Sequence, residues 1–316
     1  MTIERYTPAM ADEWDAFVDT SRNGTFLHRR AYMDYHADRF ADHSLVARDD
    51  GGRLLAVLPA NAEGSDIVSH RGLTYGSWLT PQRHFTAATM LELLAATCDF
   101  LRGEGFERLI YRPVPHIYHK YPAEDDLYAL WRMNARADAV SASSTIDLRR
   151  PRLLDHGSKN AVNRALRSGA TFGRSYDFAS FWAILEEVLA TRHNARPVHT
   201  LAEMQLLHSR FPEKIRLYGA YVDGRMAAGV VVYRCGRVAH AQYTAAGETA
   251  RRMRLLPALY SYIMDTDCDG MEWFDIGISC EDGGRYLNAG LDAQKAGLGG
   301  RCTVYSSFTL DFSGCQ

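Results

Sequence analysis

Three stretches of this chain occur twice in the same order, and that repetition restricts the fold more than any other feature. Ser44-Leu45-Val46-Ala47, a glycine turn and Arg53-Leu54-Leu55-Ala56-Val57 lead into a segment holding His70. Tyr218-Gly219-Ala220-Tyr221, Asp223-Gly224 and Arg225-Met226-Ala227-Ala228-Gly229 lead into one holding His240. A long helical pattern follows in each half. Gly105-Phe106-Glu107-Arg108-Leu109-Ile110-Tyr111 or Gly270-Met271-Glu272-Trp273-Phe274-Asp275-Ile276 comes next. Arg53 and Arg225 are 172 positions apart, His70 and His240 170, and Gly105 and Gly270 165. The expectation is an α/β chain (α+β, mixed sheets) made of two copies of one domain, residues 1–150 and 151–316, with an active cleft at or near their junction. A length of 316 residues holds two domains of ordinary size.

Periodicity supplies the elements. Helices are expected over 10–19, 28–40, 85–102, 124–134, 158–168, 178–193, 201–210, 249–264 and 285–296. Strands are expected over 43–48, 53–61, 66–74, 107–112, 140–148, 215–222, 226–233, 238–244, 272–276 and 303–311. Asp50-Gly51-Gly52 and Asp223-Gly224 read as hairpin turns.

Charge and cysteine usage exclude several classes. Lys+Arg 36 against Asp+Glu 38 leaves a formal net charge of −2, so no global field draws the chain to nucleic acid or an anionic membrane. A local basic groove remains allowed. The start lacks a basic segment followed by an apolar core, and no long uncharged apolar run occurs, which points to a cytoplasmic protein without a membrane span. Cys98, Cys235, Cys268, Cys280, Cys302 and Cys315 form no CxxC pair, so they read as reduced structural thiols and no metal site is expected. No Gly-x-Ser-x-Gly elbow is present, which argues against a serine hydrolase.

The element order resembles the GCN5-related N-acyltransferase (GNAT) fold, and several phrases resemble the FemAB-like tandem acyltransferases. These are Asn23-Gly24-Thr25-Phe26-Leu27-His28 with the aromatic stretch 32–40, and Gly72-Leu73-Thr74-Tyr75-Gly76. His193 to Thr200, Phe274-Asp275-Ile276-Gly277, and Leu287 to Gly299 belong to the same set. The resemblance spans nearly the whole chain. It implies transfer of an acyl or aminoacyl group to an amine, with orientation and electrostatics in place of a covalent enzyme intermediate. It also implies no tightly bound cofactor.

One departure bears on the donor. Members that use coenzyme A carry a glycine-containing loop that wraps the pyrophosphate at a helix N-terminus. Here Arg251-Arg252-Met253-Arg254-Leu255-Leu256-Pro257 supplies cations and no glycine. FemAB members that use aminoacyl-tRNA lack that loop as well. Acyl-CoA is taken first as donor, with an amino sugar, nucleotide-linked sugar or small metabolite as acceptor. The alternative is aminoacyl-tRNA-dependent peptide-bond formation on a cell-wall precursor or natural product. A non-catalytic ligand-binding protein of the same fold is the reading from another class. Oligomeric state is not legible.

Residue types assign candidates to this chemistry. Lys295, one of only four lysines, suits an oxyanion contact or, more plainly, a helix end. Asp275 is a carboxylate on an apolar strand and needs a partner. It suits proton acceptance or substrate orientation, and His240 suits a proton relay. His36, Arg39, His70, Tyr75, Arg112, Tyr243, Arg285 and Asn288 are expected to line the acceptor site. Lys159, Arg164, Arg167, Arg251, Arg252 and Arg254 are expected to hold donor phosphates. His116, His119 and Lys120, with Tyr118 and Tyr121, form a further basic aromatic stretch.

Overall fold

The computed structural model describes residues 1–314, so Cys315 lies outside the described residues. In chain order the elements are β1 (Thr2–Arg5), α1 (Ala11–Thr20), α2 (Arg30–Met33), β2 (Leu45–Arg48), β3 (Leu54–Leu58), β4 (Asn61–Glu63), β5 (Asp66–Val68), α3 (Ala87–Gly103), β6 (Arg108–Tyr111), α4 (Asp125–Arg132) and β7 (Arg136–Asp147). There follow α5 (His156–Leu166), β8 (Thr171–Ser175), α6 (Phe178–His193), α7 (Leu201–Arg210), β9 (Ile215–Val222), β10 (Arg225–Cys235), β11 (Val238–Ala246), α8 (Glu248–Met253), α9 (Leu255–Thr266) and β12 (Trp273–Ile278). The last are β13 (Cys280–Glu281), β14 (Tyr286–Leu287), α10 (Ala289–Gly297) and β15 (Arg301–Asp311). The architecture is mixed α/β. It divides into two compact units: residues 1–142 with 280–286 and from Val304 on, and residues 143–279 with 287–303. The division falls within β7 and β15, not at residue 150.

In the first unit, β1, β2 and β3 form a small antiparallel sheet, with Thr2 opposite Arg48 and Leu45 opposite Leu58. β4 and β5 make a hairpin, β5 pairs parallel with β6, and β6 pairs antiparallel with β15. The helix crossing over between β5 and β6 is α3. Thr86 Oγ1 caps it by accepting from Thr89 N–H, and Met90, Leu93, Leu94, Cys98 and Leu101 form its buried stripe. Trp78, Leu109 and Leu310 complete that core.

The second unit carries the longer strands, in the order β8, β9, β10, β11, β12 and the end of β7. Only the β11–β12 pair is parallel. Asp177 caps α6, and a reciprocal Thr200–Glu203 capping box starts α7. On one face α5 and α9 bury Val162, Ala165, Leu255, Leu259 and Ile263 against Val230, Val232, Ala239 and Ala241. Phe181 of α6 packs against Gly229, where a Cβ would come within 2.4 Å of its ring, so only glycine admits the helix that close.

Several expected elements differ, each for a local reason. The helix expected over 28–40 is a succession of short turns at 26–28, 30–33 and 34–36. Arg29 between the first two is extended, and Arg30 is drawn to Asp34, Asp42 and Ser44. The strand expected over 53–61 breaks at Pro59, which cannot donate to a ladder. The strand expected over 66–74 ends at Val68 because His70 turns the chain at φ 39°. The helix expected over 249–264 is two helices, separated by Arg254 at φ 55°. The helix expected from Arg285 begins at Ala289, where Asn288 Oδ1 accepts from Leu291 N–H. β8 was not expected.

Candidate functional site

The second unit concentrates buried polar chemistry where β11 and β12 part. Their parallel pairing runs from Val238 opposite Trp273 to His240 opposite Asp275. Beyond it β11 continues to Ala246, while β12 shifts register against β7 between Asp275 and Ile278. Gly277 supplies φ 86° at that shift.

Asp275 has no solvent exposure. Its Oδ1 accepts from Ser143 Oγ at 2.6 Å and from Gly277 N–H at 3.0 Å. Its Oδ2 lies 2.9 Å from His240 Nδ1. Burying a carboxylate is costly unless its oxygens find such partners. A carboxylate oxygen facing Nδ1 favours the His240 tautomer with the proton there and the lone pair on Nε2. The His240 side chain stays 12% exposed, and Nε2 has no hydrogen-bond partner among the described residues.

Lys295 of α10 is buried against the same turn. Its Nζ donates to the carbonyls of Gly277 at 2.8 Å and Ile278 at 2.7 Å. Two of its three N–H donors thus fix the backbone next to Asp275. Further along β11, Gln242 sits at a bulge, since Val231 and Val232 face Tyr243 and Ala241. Its Oε1 is buried and lacks a partner among the described residues, as does Oγ of Ser279 just beyond β12. Tyr243 packs on Trp182, and its hydroxyl lies 2.6 Å from His199 Nδ1. Burial raises the Tyr243 hydroxyl to about 12, so it stays protonated.

At the far end of β11 is a cavity of about 320 Å³, lined by Ser158 of α5, Ala246, Arg251, Arg254, Leu256, Pro257 and Gln294, among others. No side chain caps the N-terminus of α9 there. Leu255 and Leu256 can offer N–H groups, whereas Pro257 has none. Two guanidinium groups and an uncapped helix start favour an anion. From His240 to Ala246 the strand rises about 20 Å.

The expected residues divide accordingly. His240, Asp275 and Lys295 converge on one turn, with Tyr243 further along β11. Asn288 belongs to this unit as the cap of α10, and its N–H donates to Ser279 O. Of the six phosphate candidates, Arg251 and Arg254 line the cavity, while Arg252 is exposed outside it. Lys159 and Arg164 lie on the exposed face of α5 and Arg167 follows its last residue; Arg164 and Arg167 border a separate open concavity with Asn160 and Ser168.

The other candidates are in the first unit. His36 and His70 stack with centroids 5.1 Å apart, and burial lowers His70 to about 3. Arg112 donates to the carbonyls of Leu73 and Thr74. Tyr75 is buried, with its hydroxyl 3.3 Å from Thr25 Oγ1. Arg39 is partly exposed beside Asp38, and Arg285 also falls in this unit. Lys120 Nζ donates to the carbonyls of Asp19 and Ser21, so the basic aromatic stretch ties down the end of α1.

Sequence reasoning missed Ser143, His199, Gln242 and Ser158. His199 stands within a phrase that carried the family resemblance. The others give no signal until their surroundings in the fold are known.

Among the described residues, no group of three or more His, Cys, Asp or Glu is placed to hold a metal ion, and no helix is long and apolar enough to cross a membrane. Cys98, Cys235 and Cys268 are buried, Cys280 is half-buried and Cys302 is exposed.

Residues 156–286 match the acetyltransferase (GNAT) domain family. Among curated proteins, none matches the chain in sequence. Solved structures match along nearly its full length. FemX superposes with a TM-score of 0.69 at 12% identity, covering 98% of this chain and 97% of FemX. L-PGS from Bacillus licheniformis gives 0.62 at 14%, covering 97% and 92%. A tandem GNAT protein from the clavulanic acid biosynthesis pathway gives 0.56 at 15%, covering 98% of each chain. At these identities the likeness is one of fold, and the chain has an acyltransferase-like fold of the GNAT kind with FemAB- and GNAT-type structural relatives.

Proposed function

We propose that the protein is an N-acyltransferase that takes an aminoacyl group from aminoacyl-tRNA and passes it to an amine on a cell-wall precursor or natural product. The observation that carries this reading is one strand serving two sites. At one end of β11 are His240, Asp275 and Lys295. About 20 Å away, by strand rise, is a cavity lined by Arg251 and Arg254. A donor with a reactive carbonyl at one end and phosphates further along suits that spacing.

The character of the anion site favours the tRNA reading. Close wrapping of a pyrophosphate by backbone N–H groups needs glycine, and here Arg254 holds the left-handed position and Pro257 removes a donor. Arginine side chains suit separate phosphates along a single strand better than a compact diphosphate. The full-length likeness to FemX and the FemAB phrases agree. The exposed basic face of α5 adds sequence-independent attraction. In the transfer itself, the attacking amine displaces the ribose oxygen at the ester carbonyl. The buried acceptor Gln242 Oε1 suits an N–H of the substrate.

An acyl-CoA donor, with an amino sugar, nucleotide-linked sugar or small metabolite as acceptor, is the second reading. Its support is the acetyltransferase (GNAT) family match over 156–286. The fold permits tandem GNAT domains, and we extend that description to both units here.

Thermal stability measured with alanyl-tRNA, uncharged tRNA, acetyl-CoA and coenzyme A separates the two. A shift of several degrees with alanyl-tRNA that is lost in Arg251→Ala supports the first reading. A shift with acetyl-CoA and none with tRNA overturns it.

A further inference from the structure

The hydrogen bonds around Asp275 divide the labour within the centre. We propose that His240 Nε2 is the proton acceptor of the transfer, and that Ser143 and the Gly277 N–H are positioning groups acting on it through Asp275. This rests on the acyl-transfer reading and assigns roles that reading leaves open.

Asp275 is poorly placed to take the proton itself. It is fully buried, and both of its oxygens are engaged, Oδ1 by Ser143 Oγ and Gly277 N–H and Oδ2 by His240 Nδ1. Three donors hold the carboxylate in one orientation, and the carboxylate holds the imidazole. Among the described residues, His240 Nε2 has no partner and its side chain stays 12% exposed, so this nitrogen can meet a ligand.

Ser143 comes from β7, where Ile278 of β12 faces it in register. Lys295 fixes the same turn from the other side through the Gly277 and Ile278 carbonyls. The turn is thus held at the Gly277 N–H by Asp275 and at the Gly277 C=O by Lys295. Titratable groups on the elements about His240 include Asp275 of β12, Tyr233 across the register on β10, Tyr243 further along β11 with His199 bonded to it, and Lys295 of α10.

In the step, the neutral amine forms a C–N bond to the donor carbonyl carbon. Its N–H proton passes to His240 Nε2, and the imidazolium is stabilised by Asp275. Collapse breaks the bond to the leaving oxygen or sulfur, which takes the proton from Nε2 and leaves the ring as it began. Amine and acyl donor give amide and free alcohol or thiol, with no net proton change.

The decisive experiment uses the full chain with ¹⁵N-labelled histidine. Long-range ¹H–¹⁵N spectra report the tautomer, with the His240 signals assigned from His240→Gln. A protonated Nδ1 and bare Nε2 are expected in the wild type. That preference should be lost in Asp275→Asn, weakened in Ser143→Ala and restored in Ser143→Thr. A proton on Nε2 in the wild type, or a tautomer unmoved by Asp275→Asn, overturns the proposal.

A kinetic arm uses hydroxylamine as acceptor with alanyl-tRNA or acetyl-CoA. His240→Gln should lower kcat by about 100-fold or more. Ser143→Ala should lower kcat severalfold at unchanged KM, with Ser143→Thr recovering it. Full turnover in His240→Gln also overturns the proposal. If the wild type turns over neither donor, the acyl-transfer reading fails, while the spectra still decide the tautomer relay.

Discussion

The two units contain the same small motif and finish it differently. Each has a parallel strand pair three residues long with a helical crossover, one helix in the first unit and two in the second: Asp66–Val68 with Arg108–Ile110, and Val238–His240 with Trp273–Asp275. The third pair is Val68 opposite Ile110 in one and His240 opposite Asp275 in the other. His70, which the repeat aligns with His240, therefore lies past the end of its strand. Where β11 runs on for six further residues to Ala246, the first unit turns at His70 and fills the space with its own chain. Arg112 N–H donates to Ser69 Oγ, Gly76 N–H donates to Arg112 O, and the Arg112 guanidinium holds the Leu73 and Thr74 carbonyls. One motif has become closed support, and the other keeps buried acceptors and a bare imidazole nitrogen beside a strand that continues.

Substitution at the matched register positions should break this contrast most sharply. Asp275→Ala leaves Ser143, Gly277 N–H and His240 without their acceptor, and we expect a loss of about 3–5 kcal/mol of stability together with loss of transfer. Ile110→Val in the first unit should cost about 0.5–1.5 kcal/mol and leave transfer within twofold. Urea unfolding and turnover of the same preparations check both. Equal effects on turnover would mean that the two motifs share the chemistry.

Close packing supplies the next test. Gly72→Ala in the first unit would place a Cβ 2.1 Å from His36 Nε2, and Gly229→Ala in the second would place one 2.4 Å from the Phe181 ring. Each should cost about 1–3 kcal/mol, because the neighbour is itself packed. Only the second should weaken amide-exchange protection in β10 and β11.

Acid should act mainly on the first unit. Burial lowers His28 to about 4 and His70 to about 3, so below pH 6.5 the unfolded chain takes up protons that the folded chain refuses. Stability falls as pH drops, by up to about 1.4 kcal/mol per pH unit for each histidine. Asp126 works in the opposite sense. Burial beneath Tyr111 raises it to about 7, so between pH 4 and 7 the folded chain holds a proton the unfolded chain has released, and stability falls as pH rises. Two histidines against one aspartate leave a net acid sensitivity between pH 6.5 and 4. Asp126→Asn should steepen it. Exchange protection followed by mass spectrometry should fall first in α3 and β6, and a first loss in β10 and β11 would contradict this.

How much of this was legible follows from the range of the interactions. α7 and β9 begin and end where the sequence places them, because a capping box and an Asp-Gly turn are written within a few residues. Asp275 could be singled out because a carboxylate on an apolar strand must find a partner. Ser143 could not, since a serine in an alternating strand looks the same whether it faces solvent or a carboxylate 132 positions away. The interruption at Arg254 was hidden for a related reason. Arginine is a good helix former, and only tertiary packing of α8 and α9 forces it into the left-handed region. The break at Pro59 was legible in principle, since a proline cannot donate to a ladder.

The smallest effect expected is also the one that best resolves the donor. Arg254 holds φ 55° and ψ 49° at the head of α9, a conformation that costs a non-glycine residue about 1 kcal/mol. Arg254→Gly should relieve that strain, although its own flexibility in the unfolded chain offsets part of the gain, so the change in stability should stay within about 0.5 kcal/mol. Its effect on ligands should exceed its effect on folding. The substitution deletes a cation from the cavity and opens the backbone to close approach, so the two donor readings predict opposite signs. A tRNA end held by guanidinium groups should bind more weakly, with a shallower dependence on salt. A diphosphate that needs backbone N–H contact should bind no worse, and tighter if the freed Leu255 and Leu256 N–H groups reach it. Measuring alanyl-tRNA and acetyl-CoA affinity for this one variant across a salt series therefore separates the two proposed donors.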